Sequence, residues 1–146
     1  MNYHNTLTVC PYCGAGCEFY IQVLDSEIVG VLPFKEHPVS QGGLCIKGWN
    51  ATAFVHHPDR LTRPLVRKEL LDEVPRSVVG GPFVEVDWDT ALNLVAGRLN
   101  AIRAESGPDS LAFLASAKCT NEENYLLQKL ARAVVGTNNV DHCARL

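Results

Sequence analysis

The chain has 146 residues, 47% of them apolar and 20% charged, with a formal net charge of −3. That is enough for one ordinary domain, or a small one with part of another; it excludes wholesale disorder and gives nucleic acid no electrostatic footing as a partner. No apolar run approaches a membrane span, and the opening MNYHNTLTV lacks the basic and apolar regions of a leader, so a reducing, cytoplasmic setting is expected.

In chain order, Leu7 to Val9, Phe19 to Leu24 and Glu27 to Leu32 read as strands, with Asp25-Ser26 as a hairpin turn. Cys10, Cys13 and Cys17 then fall in a loop between strands, and Gly42-Gly43 allows a tight approach before Cys45. The spacing is C-x2-C-x3-C-x27-C. Packing does not call for three thiols so close together, and a fourth from a distant loop closes a tetrahedral cage. Such a set holds either zinc or a [4Fe–4S] cluster. Gly14 and Gly16 free the backbone to wrap a bulky cube, which favours the cluster.

Trp49 to His57 reads as a short helix stopped by Pro58, with His56-His57 as dipole-compatible side chains at its end. Arg60 to Pro82, with Arg63, Pro64, Arg67, Pro75 and Arg76, reads as an extended, solvated connector. Val84 to Val86 is a short strand. Asp89 or Thr90 caps a helix with Leu92, Val95, Leu99 and Ile102 on one face, ending near Gly107-Pro108. Ser110 to Ala115 suits a buried parallel strand. Thr120-x-x-Glu123 is a capping box opening a helix through Leu127, Leu130 and Val134, closed by Gly136. Trp49 and Trp88 read as packing anchors and Cys119 as a small filler.

The predicted fold class is α+β passing into α/β: a small β-rich domain over 1–59, a connector over 60–82, and over 83–146 the beginning of a doubly wound α/β domain. One strand and two helices do not complete such a sheet.

The segments V-C-P-Y-C-G-A-G-C, Q-G-G-L-C-I-K-G-W, V-D-W-D-T-A-L and N-E-E-N-Y-L-L-Q-K-L-A-R-A-V-V-G-T-N-N-V-D-H-C-A-R-L resemble, in order, the molybdopterin oxidoreductases. The closing N-N-V-D-H-C-A-R-L favours the catalytic subunit of formate dehydrogenase over nitrate reductase. The resemblance implies an N-terminal [4Fe–4S] domain, with Cys10, Cys13, Cys17 and Cys45 as cluster ligands, and α/β domains that cradle bis-molybdopterin guanine dinucleotide carrying molybdenum or tungsten. Lys47, in C-I-K-G, matches the lysine between cluster and pterin that assists electron transfer. Lys118 stands near an arginine of some members and is a candidate for holding an anionic part of the cofactor, in a loop where α/β sheets meet phosphates. His142 falls beside the active-site position of the family pattern, where a pterin contact and a local structural role both stand open.

The implied reaction is two-electron interconversion of formate and CO2. Electrons leave to an iron–sulfur or flavin subunit or a soluble carrier. In the family the cysteine or selenocysteine that binds the metal follows A-R-L directly. No catalytic residue is therefore assigned to this chain, and alone it is expected not to turn over formate. The ending at Leu146 is expected to mark a selenocysteine codon read as a stop. The readings outside this one are a free-standing iron–sulfur electron carrier and a structural zinc module.

Overall fold

Alternation of apolar and polar residues near the N-terminus produces three antiparallel strands, β1 (Tyr3–Val9), β2 (Glu18–Leu24) and β3 (Glu27–Pro33), in the order β1-β2-β3. Asp25 and Ser26 connect β2 to β3 with φ of 47° and 74°. Positive φ at both central residues is the twist a two-residue hairpin requires, and aspartate tolerates it better than most side chains. Phe19 and Ile21 share one face of β2, with Val31 paired opposite Ile21. That face carries the core: Phe19, 1% exposed, packs with Cys10 and Ala51, and Tyr12, Cys17 and Leu44 close around them.

The computed structural model describes residues 1–71 and 81–143. They form two compact units, one of residues 1–60 together with those from Ala112 onward, the other of residues 61–111.

The later part of the first unit is a strand–helix–strand crossover. Strand β6 (Phe113–Ser116) pairs in parallel with β7 (Val140–Cys143). The link between them is α4 (Asn121–Lys129), extended by a π-helical turn over Leu130–Val135. Thr120 caps α4 through the Glu123 N–H, and the Glu123 carboxylate accepts in return from the Thr120 N–H at 2.8 Å. Gly136 ends the turn at φ 91°, a conformation that costs glycine little. Asn124 ties helix to strand: its Nδ2 donates to the Ser116 carbonyl at 3.1 Å, and its Oδ1 accepts from the Ser116 N–H at 3.4 Å.

In the second unit, β4 (Leu65–Arg67) pairs antiparallel with β5 (Phe83–Glu85) and runs directly into the short helix α2 (Lys68–Leu71). The Arg67 guanidinium lies over the Phe83 ring, 4.6 Å from its centroid. Helix α3 (Trp88–Ser106) follows and ends at Gly107, φ 80°.

Several expectations are corrected. The helix after Cys45 is only α1 (Ile46–Trp49), followed by turns through His56. The stretch read as a connector is ordered where described, with Val66 of β4 buried; Pro75 and Arg76 lie outside the described residues. The cap of α3 is Asp87, whose side chain accepts from the Thr90 N–H at 2.6 Å. Residues 108–110 form a 3-10 turn, so the strand begins later than read, and Leu114 on it is 80% exposed. Trp49 and Trp88 are exposed, as are Leu92 and Val95 on α3, so neither tryptophan is a packing anchor here.

Asp87 gives the second unit a pH dependence. Hydrogen bonds from Thr90, backbone first and hydroxyl second, hold its carboxyl below the usual carboxylate range. A depressed folded pKa contributes stability above the unfolded value of about 3.9, and that contribution fades as pH falls through the folded one. Thermal melts followed by circular dichroism should lose stability on acidification below about pH 4. Asp87→Asn keeps a competent cap and is expected to remove that share of the acid sensitivity.

Candidate metal centre

The first three cysteines occupy the loop from β1 to β2. The Cys10 N–H donates to the Cys17 carbonyl at 2.8 Å, closing the loop at its base. Within it Cys13 has φ 46° and Gly16 φ 61°. The left-handed conformation is cheap for glycine and costly for cysteine, so the loop needs outside support to hold Cys13 there. Cys45 comes from a separate segment, as the N-cap residue of α1.

The four thiols differ electrostatically. Cys10 is buried at 5% exposure among Phe19 and Ala51. Burial pushes its thiol up, and repulsion from Cys17, Cys13 and Cys45 adds to that, against a lowering hydrogen bond from the Tyr12 backbone. Cys45 is exposed and held below the ordinary thiol range. The backbone N–H groups of Gly48 and Lys47 point toward its sulfur without closing a full capping hydrogen bond, and the Lys47 ammonium adds a smaller contribution. All six cysteines are free thiols.

Cys10 therefore feels the charge of Cys13, Cys17 and Cys45. Among the described residues, however, no three His, Cys, Asp or Glu side chains stand close enough together to hold a metal ion as placed. The donor set itself fits an iron–sulfur core. Four cysteine sulfurs are the donors such clusters take, as thiolates, and a cationic iron centre would relieve the repulsion that Cys10 feels.

Lys118 lies after β6, and its backbone is engaged with the cysteine loop: the Cys13 N–H donates to the Lys118 carbonyl at 3.1 Å. Three residues on, Asn121 Nδ2 donates to the Gly14 carbonyl at 3.2 Å. Lys118 is not among the residues lining the cavity of about 320 Å³ bounded by the C-terminal end of β6, the first residues of β7 and the helical link between them. Ser116, Asn124, Gln128, Arg132, Asp141 and His142 line it. The C-terminal end of parallel strands is where α/β sheets take ligands, and Arg132 supplies a fixed cation there. Nearby, Cys143 Sγ is 3.2 Å from Ser116 Oγ. That hydroxyl chiefly, with the Ala117 N–H and a weaker contribution from Lys118, lowers the Cys143 thiol. His56 faces Glu27 at 3.7 Å and His57 faces Asp59 at 3.9 Å, so both histidines have carboxylate partners.

Sequence reasoning missed Asn121, Asn124 and Arg132. The capping box accounts for Thr120 and Glu123 and gives no signal for Asn121, whose partner stands 107 positions away.

The pattern described as the molybdopterin oxidoreductase Fe4S4 domain matches residues 3–57, and that of the molybdopterin oxidoreductases matches residues 60–146. The chain is similar to the alpha subunit of F420-dependent formate dehydrogenase 1 of Methanococcus maripaludis, at 49% identity over 139 residues. That alignment covers 95% of this chain and 18% of the relative. It is also similar to a putative formate dehydrogenase of Staphylococcus aureus strain USA300, 47% identical over 140 residues, covering 96% of this chain and 13% of that protein. The chain thus spans less than a fifth of the length of these relatives.

Proposed function

The chain belongs to the molybdopterin oxidoreductase family, and on that footing we propose that it is the N-terminal, cluster-bearing part of a formate dehydrogenase catalytic subunit. The observation that carries the proposal is the similarity over nearly all of the chain to proteins named as formate dehydrogenases. Cys10, Cys13 and Cys17 of one loop and Cys45 at the start of α1 supply the thiol donors this reading needs.

In this reading Cys10, Cys13, Cys17 and Cys45 bind the cluster as thiolates. A bound [4Fe–4S] cluster accepts and releases electrons one at a time. Lys47, two residues past Cys45, holds a positive charge beside the site and offers donors toward the pterin side. Lys118, through its charge, and Arg132, through the cavity it lines, hold an anionic portion of bis-molybdopterin guanine dinucleotide that carries molybdenum or tungsten. The cavity is at the small end of ligand pockets, so these residues grip one part of so large a cofactor. Electrons pass outward to an iron–sulfur or flavin subunit or a soluble carrier, and the free thiols suit a reducing, cytoplasmic compartment. None of the described helices is long and apolar enough to cross a membrane.

The test is formate itself. Added anaerobically to the full-length protein that contains this chain, formate should bleach the visible iron–sulfur absorption. Indifference to formate, with reoxidation of the reduced protein by nitrate, would reassign the enzyme to nitrate reduction. In the same assay Lys47→Met should slow formate-driven cluster reduction by about tenfold or more, the scale of outer-shell losses, with cluster content unchanged. Equal rates in parent and variant would remove Lys47 from the relay.

A further inference from the structure

Two adjacent residues of the cysteine loop are gripped by the turn that opens α4. Cys13 donates its N–H to the Lys118 carbonyl, and Gly14 offers its carbonyl to Asn121 Nδ2. The approach at Gly14 is tight: a Cβ built there would overlap Asn121 Oδ1 and lie 3.1 Å from Asn121 Cγ. Gly14 does not have a positive φ, so here glycine serves close approach and not backbone freedom. Cys13, next to it, is the cysteine held in the left-handed region.

We propose that Asn121 is a positioning residue for the iron–sulfur site: it clamps the Gly14 carbonyl, keeps Cys13 aimed at the cluster, and couples retention of the cluster to the first turn of α4. The inference rests on the reading of the four cysteines as cluster ligands. Its mechanism is geometric. A loop that carries three ligands must hold their spacing while iron–sulfur bonds exchange. The Asn121 amide replaces the water that would otherwise solvate the Gly14 carbonyl and let the loop open. Asn121 acts through Gly14, whose carbonyl it binds.

Asn121→Asp separates positioning from simple structural support. An acidic residue in the first turn favours the helix dipole, so α4 is no less stable, yet the amide donor is gone and a carboxylate faces a carbonyl. In the anaerobically loaded protein, Asn121→Asp should raise the rate of chelator-driven cluster loss about fivefold, the factor one neutral hydrogen bond supplies. The melting temperature of the metal-free protein should hold.

Gly14→Ala pushes the Asn121 amide aside and should give the same acceleration. In an Asn121→Ala background, Gly14→Ala should add nothing further. Thr120→Ala weakens the same helix end without touching the loop and should leave the loss rate near that of the parent. Parental cluster retention in Asn121→Asp, additive effects of Gly14→Ala and Asn121→Ala, or equal acceleration by Thr120→Ala would each overturn the proposal. A parent protein that takes up no cluster at all would instead sink the ligand assignment, a result distinct from any of these.

Discussion

Cys45→Ser is expected to abolish cluster retention while leaving the metal-free chain as stable as the parent. Cys45 is exposed, starts a four-residue helix and packs in no core, so its sulfur has nothing structural to lose. What it contributes is a thiol already inclined to ionise, beside the N–H groups of Gly48 and Lys47. Serine keeps the shape and removes the soft, ionisable ligand. Cys10→Ser makes the instructive contrast. Cys10 lies in the core with Phe19 and Ala51, so the substitution removes a ligand and also buries a hydroxyl among apolar neighbours. It should lose the cluster and, in addition, about 1–3 kcal/mol of stability in the metal-free chain. Iron content after gel filtration, with thermal melts of the stripped proteins, separates the two effects. Full iron retention in Cys45→Ser would remove Cys45 from the ligand set.

Phe19→Ala should be the most damaging single change outside the cysteines, at about 4 kcal/mol. Phe19 is the largest buried apolar side chain described, and it underlies both the sheet and Cys10. Truncating it opens a cavity beside Cys10, so urea unfolding should shift to markedly lower midpoint. Cluster retention should fall with it. Leu114→Ala, at an exposed strand position, should stay within about 0.5 kcal/mol of the parent. Equal losses from the two would mean that the core lies elsewhere.

The residues that announce themselves locally were legible in the sequence. Cysteine spacing marked the candidate metal site, and the structure bears out the Thr120 and Glu123 pair as the start of α4 and Asp25-Ser26 as the hairpin. Each is a short-range pattern whose partner lies within a few residues. What escaped was long-range. Strand β4 is three residues among arginines and prolines, and it is a strand only because β5 pairs with it. Strand β7 likewise exists through its parallel pairing with β6. The apolar stripe of α3 was read correctly as a stripe, yet Leu92 and Val95 on it are exposed, because periodicity reports a face and not what covers it.

The same reason explains the candidate site. The four cysteines were visible as a set, whereas the hydrogen bonds of Lys118 and Asn121 to the loop join residues over a hundred positions apart. No local pattern encodes them. They also mean that the cysteine loop and the turn before α4 belong to one compact unit, although a long stretch of chain separates them.

The proposed function stands on the binding of a cubane iron–sulfur cluster by Cys10, Cys13, Cys17 and Cys45. The most direct test is to load the full chain anaerobically with iron and sulfide, determine both elements, and record the electron paramagnetic resonance of the reduced protein. Iron and sulfide are expected in the Fe4S4 ratio, one cluster per chain, with a signal that disappears on oxidation. Zinc bound by the same thiols without sulfide, or no metal retained at all, would contradict it.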